Sequence, residues 1–208
     1  MTTGAVITAD IVNSTQLSKA DNKKLMKALL GILETHQHEF FRGDSFQVYI
    51  KSPIEALWLL LQLRATAMKI SSETSMPLSD IRGSIGFGAV KLPVKSLRTA
   101  SDEAFILSGR TFDKMKTGQR LAISCAERNR VANIGLQVIA QFLDYLFQRL
   151  TYKQALVVSE LLMKQNQTET ARRLKKSQAT IHKHLQSAGW PEIEKILTEY
   201  QHLVESIE

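Results

Sequence analysis

Apolar patterns typical of strands occupy much of the first part of the chain. Residues 4–12 (GAVITADIV) form a β-branched apolar run, while residues 46–50 and 81–90 (IRGSIGFGAV) alternate with a period of two. Two more strands are expected, one just before the Gly-Asp pair at 43–44 and one over residues 120–126 (RLAISCA). This part of the chain is therefore predicted to form a sheet.

Between these strands, apolar residues recur at helical spacing. It runs over residues 25–32 and 54–68, where Pro53 stands at a position that favours the first turn of a helix, and residues 102–117 are also expected to be helical. The order is β-α-β-β-α-β with an extra helix and strand. It predicts an α+β fold, namely a ferredoxin-like or cyclase-like antiparallel sheet covered by helices on one face.

The second part of the chain shows only helical patterns. No strand pattern competes after about residue 130, so we predict a boundary near residues 126–132. It separates an α+β domain, residues 1–128, from an all-α domain, residues 129–208. No proline- or glycine-rich linker marks the boundary, and the two parts are expected to pack closely.

Composition and charge narrow the class of protein. The chain has 208 residues, 44% of them hydrophobic, which is enough for a core. Its single cysteine, Cys125, cannot form an internal disulfide and lies in an apolar run, so we expect a buried thiol and a cytoplasmic protein. No apolar run approaches the ~20 residues of a membrane span. The net charge of +7 indicates an anionic partner.

Two aspartates near strand ends are candidate metal ligands. Asp10 follows the apolar run AVITA, where burial disfavours a carboxylate, and Asp44 follows Gly43 in the predicted hairpin turn. If the first strand lies beside the hairpin, the carboxylates converge, and a divalent cation such as Mg²⁺ or Mn²⁺ would satisfy both. The alternative is two separate structural roles, with Asp10 capping the next helix and Asp44 making the turn.

Residues 152–188 carry the pattern of a DNA-binding helix-turn-helix. Two short helical patterns are separated by a three-residue turn at 175–177; Ala171 is small enough for the helix crossing, and Ile181 and Leu185 anchor the second helix. The alternative is a structural helical hairpin with a basic face. The residues expected to contact phosphates or base edges are Arg172, Arg173, Lys175, Lys176, Gln178, Thr180, His182 and Lys183.

A homodimer is expected because a single pair of such helices usually binds DNA as a dimer on paired half-sites. Pro191 opens a last helix whose apolar stripe must be buried, either on the helix-turn-helix core or between subunits. Residues 131–150 are a second candidate for subunit association. The stripe of the last helix consists of Ile193, Ile196, Leu197, Tyr200, Leu203, Val204 and Ile207.

Three segments of the first part, ITADIVNST, FRGDSFQVYI and IRGSIGFGAV, resemble in this order the corresponding segments of class III nucleotidyl cyclases. The resemblance covers about residues 4–125. It implies that Asp10, Asp44 and the backbone carbonyl of Ile11 hold metal ions that bind nucleotide phosphates. It also implies that Arg110, in the segment FILSGR, contacts the nucleotide.

Two positions depart from the cyclase pattern. Ile106 stands where that family has an asparagine, and Phe40 stands where it has a lysine that recognises the purine base. Ring closure needs charge and orientation at the reacting centre, so these departures favour ligand binding over catalysis.

The whole chain resembles SatD-like bacterial proteins, which combine a cyclase-like region, the segment EAFILSGR and C-terminal helices followed by a tryptophan. The leading expectation is a DNA-binding regulator whose degenerate cyclase-like domain binds a divalent metal and a nucleotide or other phosphate ligand. The alternative is an active, divergent nucleotidyl cyclase or nucleotidyl-transfer enzyme with a helical dimerisation module.

Overall fold

The protein folds as a mixed α+β structure, seen in a computed structural model that describes residues 2–41, 43–70 and 75–207. The strands of these residues form one sheet in the order β2-β3-β1-β4-β5. They are β1 (Thr2–Val12), β2 (Gln37–Phe41), β3 (Ser45–Ile50), β4 (Asp80–Val90) and β5 (Leu121–Ser124). The α-helices are α1 (Lys19–Leu33), α2 (Pro53–Met68), α3 (Glu103–Asp113), α4 (Arg130–Gln148), α5 (Tyr152–Leu162), α6 (Gln167–Leu174), α7 (Gln178–Ser187) and α8 (Trp190–Glu205).

The sheet is mixed, not wholly antiparallel as expected. Its central strand β1 pairs antiparallel with β3 on one side and, along its whole length, with β4 on the other. β2 and β3 form an antiparallel hairpin. β5, however, runs parallel to β4, because the chain between them crosses over through α3 and re-enters the sheet in the same direction.

Helices cover both faces of the sheet, so the expectation of one covered face is wrong. A Cβ added to Gly83 of β4 would meet the Leu60 side chain of α2 at 2.8 Å. A Cβ added to Gly86 would instead meet the backbone of α3, with the carbonyl oxygen of Ala104 at 2.6 Å. Successive strand residues point to opposite faces. α2 and α3 therefore lie on opposite sides of β4, and Gly86 permits the close approach of α3.

Helix α2 is surrounded on nearly all sides. Twelve of its sixteen residues are buried, because it packs on the sheet and also contacts α1, α5 and α8. A helix that is apolar all round is typical of the centre of a fold. Within the described ranges, no helix combines the length and apolarity required to cross a membrane.

The C-terminal helices share the core of the sheet region. One continuous cluster of buried apolar residues runs from the strands into α4, α5, α7 and α8. The stripe of α8 is used within the chain: Ile193, Leu197 and Val204 are buried, and the Tyr200 hydroxyl donates a hydrogen bond of 2.8 Å to the carbonyl of Pro53. The domain boundary near 126–132 stays a prediction.

A buried arginine joins α2, β4 and α4. Arg64 is fully buried; its Nε and Nη2 donate to Asp80 at 3.1 and 2.8 Å, and its Nη1 donates to Asp144 at 2.9 Å. The other Asp144 oxygen accepts the backbone N–H of Arg120 at 2.8 Å. Burial alone would lower the pKa of Arg64, but the two carboxylates outweigh it and raise that pKa. The guanidinium is therefore charged and compensated in the core.

Replacing Asp144 with alanine should lower the free energy of unfolding by about 3–5 kcal/mol, because the buried charge of Arg64 would lose one of its two carboxylates. Urea unfolding followed by circular dichroism measures this change. Glu199, an exposed carboxylate on α8, gives the matched control: Glu199→Ala should shift stability by no more than about 0.5 kcal/mol. An Asp144→Ala protein as stable as the unmodified one would contradict the role of the network.

Candidate functional site

The fold brings Asp10 and Asp44 to the same region of the sheet. Asp10 lies near the end of β1, opposite Ser45 of β3 and Arg82 of β4. Asp44 precedes β3, and its carbonyl accepts the backbone N–H of Ile11 at 3.0 Å. The turn that carries Asp44 is thus bonded directly to the strand that carries Asp10.

Local geometry explains the position of Asp44. Gly43 has φ of 91°, a left-handed conformation that glycine adopts without steric cost. The Asp44 carboxylate accepts a hydrogen bond of 2.9 Å from the hydroxyl of Ser14, which follows β1. Asp44 therefore makes the turn, as one interpretation expected. Asp10 does not cap the following helix, however, because Ser18 is the N-cap of α1.

Arg82 is a member of this site that the sequence analysis missed. Its Nη1 lies 3.5 Å from the Asp10 carboxylate, while its Nη2 donates to the carbonyls of Phe112 and Met115 at 3.1 and 3.4 Å. The guanidinium carbon also lies 4.3 Å from the centre of the Phe112 ring. Because 3.5 Å is long for a charge-assisted hydrogen bond, Arg82 is anchored mainly at the end of α3.

The Asp10 carboxyl is incompletely compensated. Burial raises its pKa most strongly; Arg82 acts against this, Asp44 raises the pKa further, and Arg120 lowers it by a smaller amount. The net result is a pKa above the ordinary value of an aspartate. A positive charge placed between Asp10 and Asp44 would relieve both the desolvation and the repulsion.

Arg110 lines a cavity that does not include the two aspartates. It is exposed on α3 and lines a cavity of about 420 Å³ between α3, β5 and α4, together with Lys114 and Glu127. Neither Asp10 nor Asp44 lines this cavity. The structure thus groups Asp10, Asp44 and the Ile11 backbone, and it places Arg110 with another set of residues.

The donors at the sheet site suit a magnesium ion only in combination with a ligand. In the described residues, no three His, Cys, Asp or Glu side chains form a group that could hold a metal ion. Asp10 and Asp44 offer hard carboxylate oxygens, and the Ile11 carbonyl is the expected third donor. Mg²⁺ commonly binds through one or two carboxylates, water and substrate phosphates. The residues therefore fit a magnesium–phosphate ligand better than a bare ion.

The second candidate site is the hairpin of α6 and α7. Lys175 ends α6 in a left-handed conformation with φ of 51°, and Ser177 caps α7 by accepting the backbone N–H of Thr180 at 3.1 Å. Three residues thus separate the two helices. Ala171 and Ile181 are buried, so the apolar residues of both helices face inward and fix the hairpin on the molecule.

The outer side of this hairpin is polar and basic. Thr180 is partly buried and its hydroxyl shares a hydrogen bond of 2.9 Å with Ser177. The remaining predicted contact residues are exposed: Arg172, Arg173, Lys175, Lys176, Gln178, His182 and Lys183. They form a surface on which cations and hydrogen-bonding groups are accessible together.

Arg173 also has a partner inside the chain. Its Nε lies 3.2 Å from Oε2 of the buried Glu160 in α5, at the distance of an ion pair although without hydrogen-bond geometry. Oε1 of Glu160 lies 3.5 Å from Nζ of Lys69, which follows α2. Burial lowers the pKa of Lys69, and Glu160 opposes this effect. Arg173 thus helps to hold α6 against α5 and the end of α2.

Comparison with known proteins adds little to this geometry. No protein-family model matches the sequence. No curated protein matches it. Among solved structures, the active GGEEF domain of a diguanylate cyclase from Vibrio cholerae is similar, with 14% sequence identity, a TM-score of 0.42, and coverage of 60% of this chain and 83% of that chain. A similarity of this degree assigns no function.

The pKa of Asp10 should respond with opposite signs to changes in its two neighbours. Carbon-detected NMR titration should show Asp10 titrating above an ordinary aspartate, higher still in Arg82→Met and lower in Asp44→Asn, because the first change removes an attractive charge and the second a repulsive one. A carboxyl with a raised pKa binds its proton more tightly in the folded state than in the unfolded state. Its contribution to stability is therefore lost as the pH rises from the ordinary aspartate pKa through the raised pKa of Asp10.

Arg98→Met is the matched control for this titration, since Arg98 pairs with Glu39 of the edge strand β2, two strands away from the central strand β1 that carries Asp10. It should leave the Asp10 titration unchanged. An Asp10 that titrates at or below the ordinary value would contradict the description of an undercompensated carboxylate.

Proposed function

We propose that this protein binds DNA through the hairpin of α6 and α7, acting as a helix-turn-helix. The observation that carries the proposal is the division of this hairpin into two sides. Ala171, Ile181 and Leu185 are buried against the molecule, whereas the basic and amide side chains face solvent. A recognition helix must be held rigidly while its outer surface stays free, and α7 meets both conditions.

We expect α7 to contact base edges and the end of α6 to contact phosphates. α7 begins at Gln178, and His182 and Lys183 lie one turn further on its exposed side. Side chains at the beginning of a recognition helix are the ones that reach base edges in the major groove. Arg172 and Lys176 lie in or just after α6, where cations contact phosphates and set the register of the protein on DNA.

Local charge supports a polyanionic partner. Residues 167–185 contain five Lys or Arg residues and one acidic residue, Glu169. Glu169 completes the capping box of α6 with Asn166, so its carboxylate is engaged at the start of that helix. The exposed turn is therefore strongly positive, and the affinity for DNA should depend on ionic strength.

A second component of the proposal is a magnesium-dependent phosphate ligand, such as a nucleotide, at Asp10 and Asp44. The supporting observation is that the turn of Asp44 is hydrogen-bonded to the strand that carries Asp10, which brings two carboxylates to one place. The ion would neutralise ligand phosphates there, and Asp10, Asp44 and the Ile11 carbonyl would hold it. The departures at Ile106 and Phe40 favour binding over cyclisation, so the enzymatic alternative is distinguished by product formation from ATP or GTP.

A physical connection between the two sites makes this ligand a candidate regulator. Arg82, which faces Asp10, lies two residues from Asp80 on β4, and Asp80 binds the buried Arg64. Arg64 in turn binds Asp144 of α4. A ligand that repositions Arg82 would act on a strand already bonded to the C-terminal helices, and it would regulate them if it binds one position of that strand more tightly than another.

The first test of this proposal is DNA affinity as a function of salt. Fluorescence anisotropy of the full chain with a labelled random-sequence duplex should give binding that weakens steeply as NaCl rises. Arg172→Ala/Lys176→Ala should weaken binding and reduce the log–log slope by roughly two, about 0.9 for each phosphate that is no longer neutralised. Lys23→Ala/Lys27→Ala removes the same charge from the exposed side of α1. It should lower the affinity and the salt slope by much less than the change in the hairpin. Equal weakening in both variants, or salt-independent binding, would refute the assigned surface.

The second test is calorimetric titration with nucleotides. Mg²⁺ with ATP or GTP should give saturable binding that Asp44→Asn abolishes, while Mg²⁺ alone should give none, because the protein supplies too few donors for the bare ion. Asp113→Asn, which removes an exposed carboxylate at the end of α3, should bind normally. Unchanged binding by Asp44→Asn would rule out the metal site, and cyclic or diphosphate product would establish the enzymatic alternative. Neither outcome bears on the DNA surface.

A further inference from the structure

Helix α4 exposes an apolar face that the described chain leaves largely open to solvent. Nine large apolar side chains are exposed in the described residues, and five of them lie on α4. The five recur at spacings of three and four residues and so form one stripe along the helix. They are Val131, Ile134, Val138, Phe142 and Tyr145, with exposures of 84, 57, 61, 40 and 57%.

The helix cannot rotate to hide this stripe. Its opposite face is already in the core, where Leu136, Leu143 and Phe147 are fully buried. Asp144 on that face is bonded to Arg64 and to the Arg120 amide. Turning the stripe inward would expose this apolar face and break a buried ion pair, which is far more costly than leaving the stripe in water.

The exposed face also carries no charge between its ends. From residue 131 to 148 the one ionisable carboxylate or amine is Asp144, which is buried, and the other exposed side chains include Gln137 and Gln141. Arg130 and Arg149 lie at its two ends, and the guanidinium carbon of Arg149 lies 5.2 Å from the centre of the Tyr145 ring. With cations only at its two ends, this face is poorly suited to DNA, which binds through many cations, and to a partner selected by opposite charge.

We propose that this face of α4 is the surface through which two copies of the chain form a homodimer. The five side chains expose roughly 600 Å² together, so packing two copies face to face buries on the order of 1,200 Å², the lower bound for a specific and stable interface. A neutral patch meets its own copy without like-charge repulsion, as a two-fold interface requires. The glutamines beside the stripe supply a polar rim.

This assignment places the dimer contact on α4 and not on α8, whose stripe belongs to the core. Val138 lies in the middle of the α4 stripe and therefore near the two-fold axis of an isologous contact. The proposal does not depend on DNA binding, because it concerns a surface separate from α6 and α7.

Sedimentation velocity of the full chain tests the proposal directly. The unmodified protein should sediment at twice the chain mass of 23.4 kDa and dissociate on dilution. Val138→Glu should shift it to the monomer, because two carboxylates would meet near the axis, while the circular dichroism spectrum stays unchanged and urea unfolding loses its dependence on protein concentration. Leu30→Glu, at an exposed leucine of α1, is the matched control and should remain dimeric.

Mixing two charged variants separates self-association from any indirect effect. Val138→Glu and Val138→Lys should each be monomeric, and an equimolar mixture should form a heterodimer, because opposite charges then face each other across the axis. Three results would overturn the proposal: an unmodified protein that is monomeric up to about 100 μM, well above the Kd of a stable dimer; a Val138→Glu protein that stays dimeric; or a mixture without heterodimer. A monomer would leave the face to another protein or a lipid surface.

Discussion

Burial of the Arg64 guanidinium is the constraint on which the arrangement of the molecule depends. A charge inside the core must be compensated where it lies, because removing it from water is expensive. Asp80 at the start of β4 and Asp144 in α4 provide that compensation, and Asp144 also accepts the amide of Arg120 just before β5. One buried charge thus joins the central helix to the sheet and to the first C-terminal helix, and the continuous apolar core extends around it.

The sheet site and this ion network share strand β4. Asp80 and Arg82 lie two residues apart on this strand, where Arg82 bonds to the end of α3 and Asp80 bonds to Arg64 of α2 on the opposite side. Arg82 faces Asp10, while Asp80 faces Arg64. The charged residues of the candidate ligand site are thereby next to the Asp80–Arg64 ion pair, and Arg64 binds Asp144 of α4. Such adjacency gives a ligand a short physical route to the C-terminal helices, without any need for a long pathway through the core.

Among the C-terminal helices, too, a buried charge is paired with charges of opposite sign. Buried Glu160 is matched by Lys69 and Arg173, which holds α6 in place. The remaining basic side chains of the hairpin point to solvent, where their charge is available to an anionic partner. α8 uses its apolar stripe in the core of its own chain, so the unpartnered apolar surface is left on α4. The basic surface and the apolar surface are therefore separate, and each is suited to a different partner.

The local features could be predicted from the sequence. Period-two and helical spacing predicted the order of strands and helices, Pro53 marked the start of α2, and Gly43 with Asp44 marked a turn, because backbone preference and amphipathic period are properties of neighbouring residues. Periodicity says that a face is buried but not what buries it. Three features became visible only in the folded chain: α3 covers the second face of the sheet, β5 is parallel to β4, and Arg110 lines a cavity without Asp10. Those outcomes depend on contacts between residues far apart in the chain, whose energies no local pattern contains.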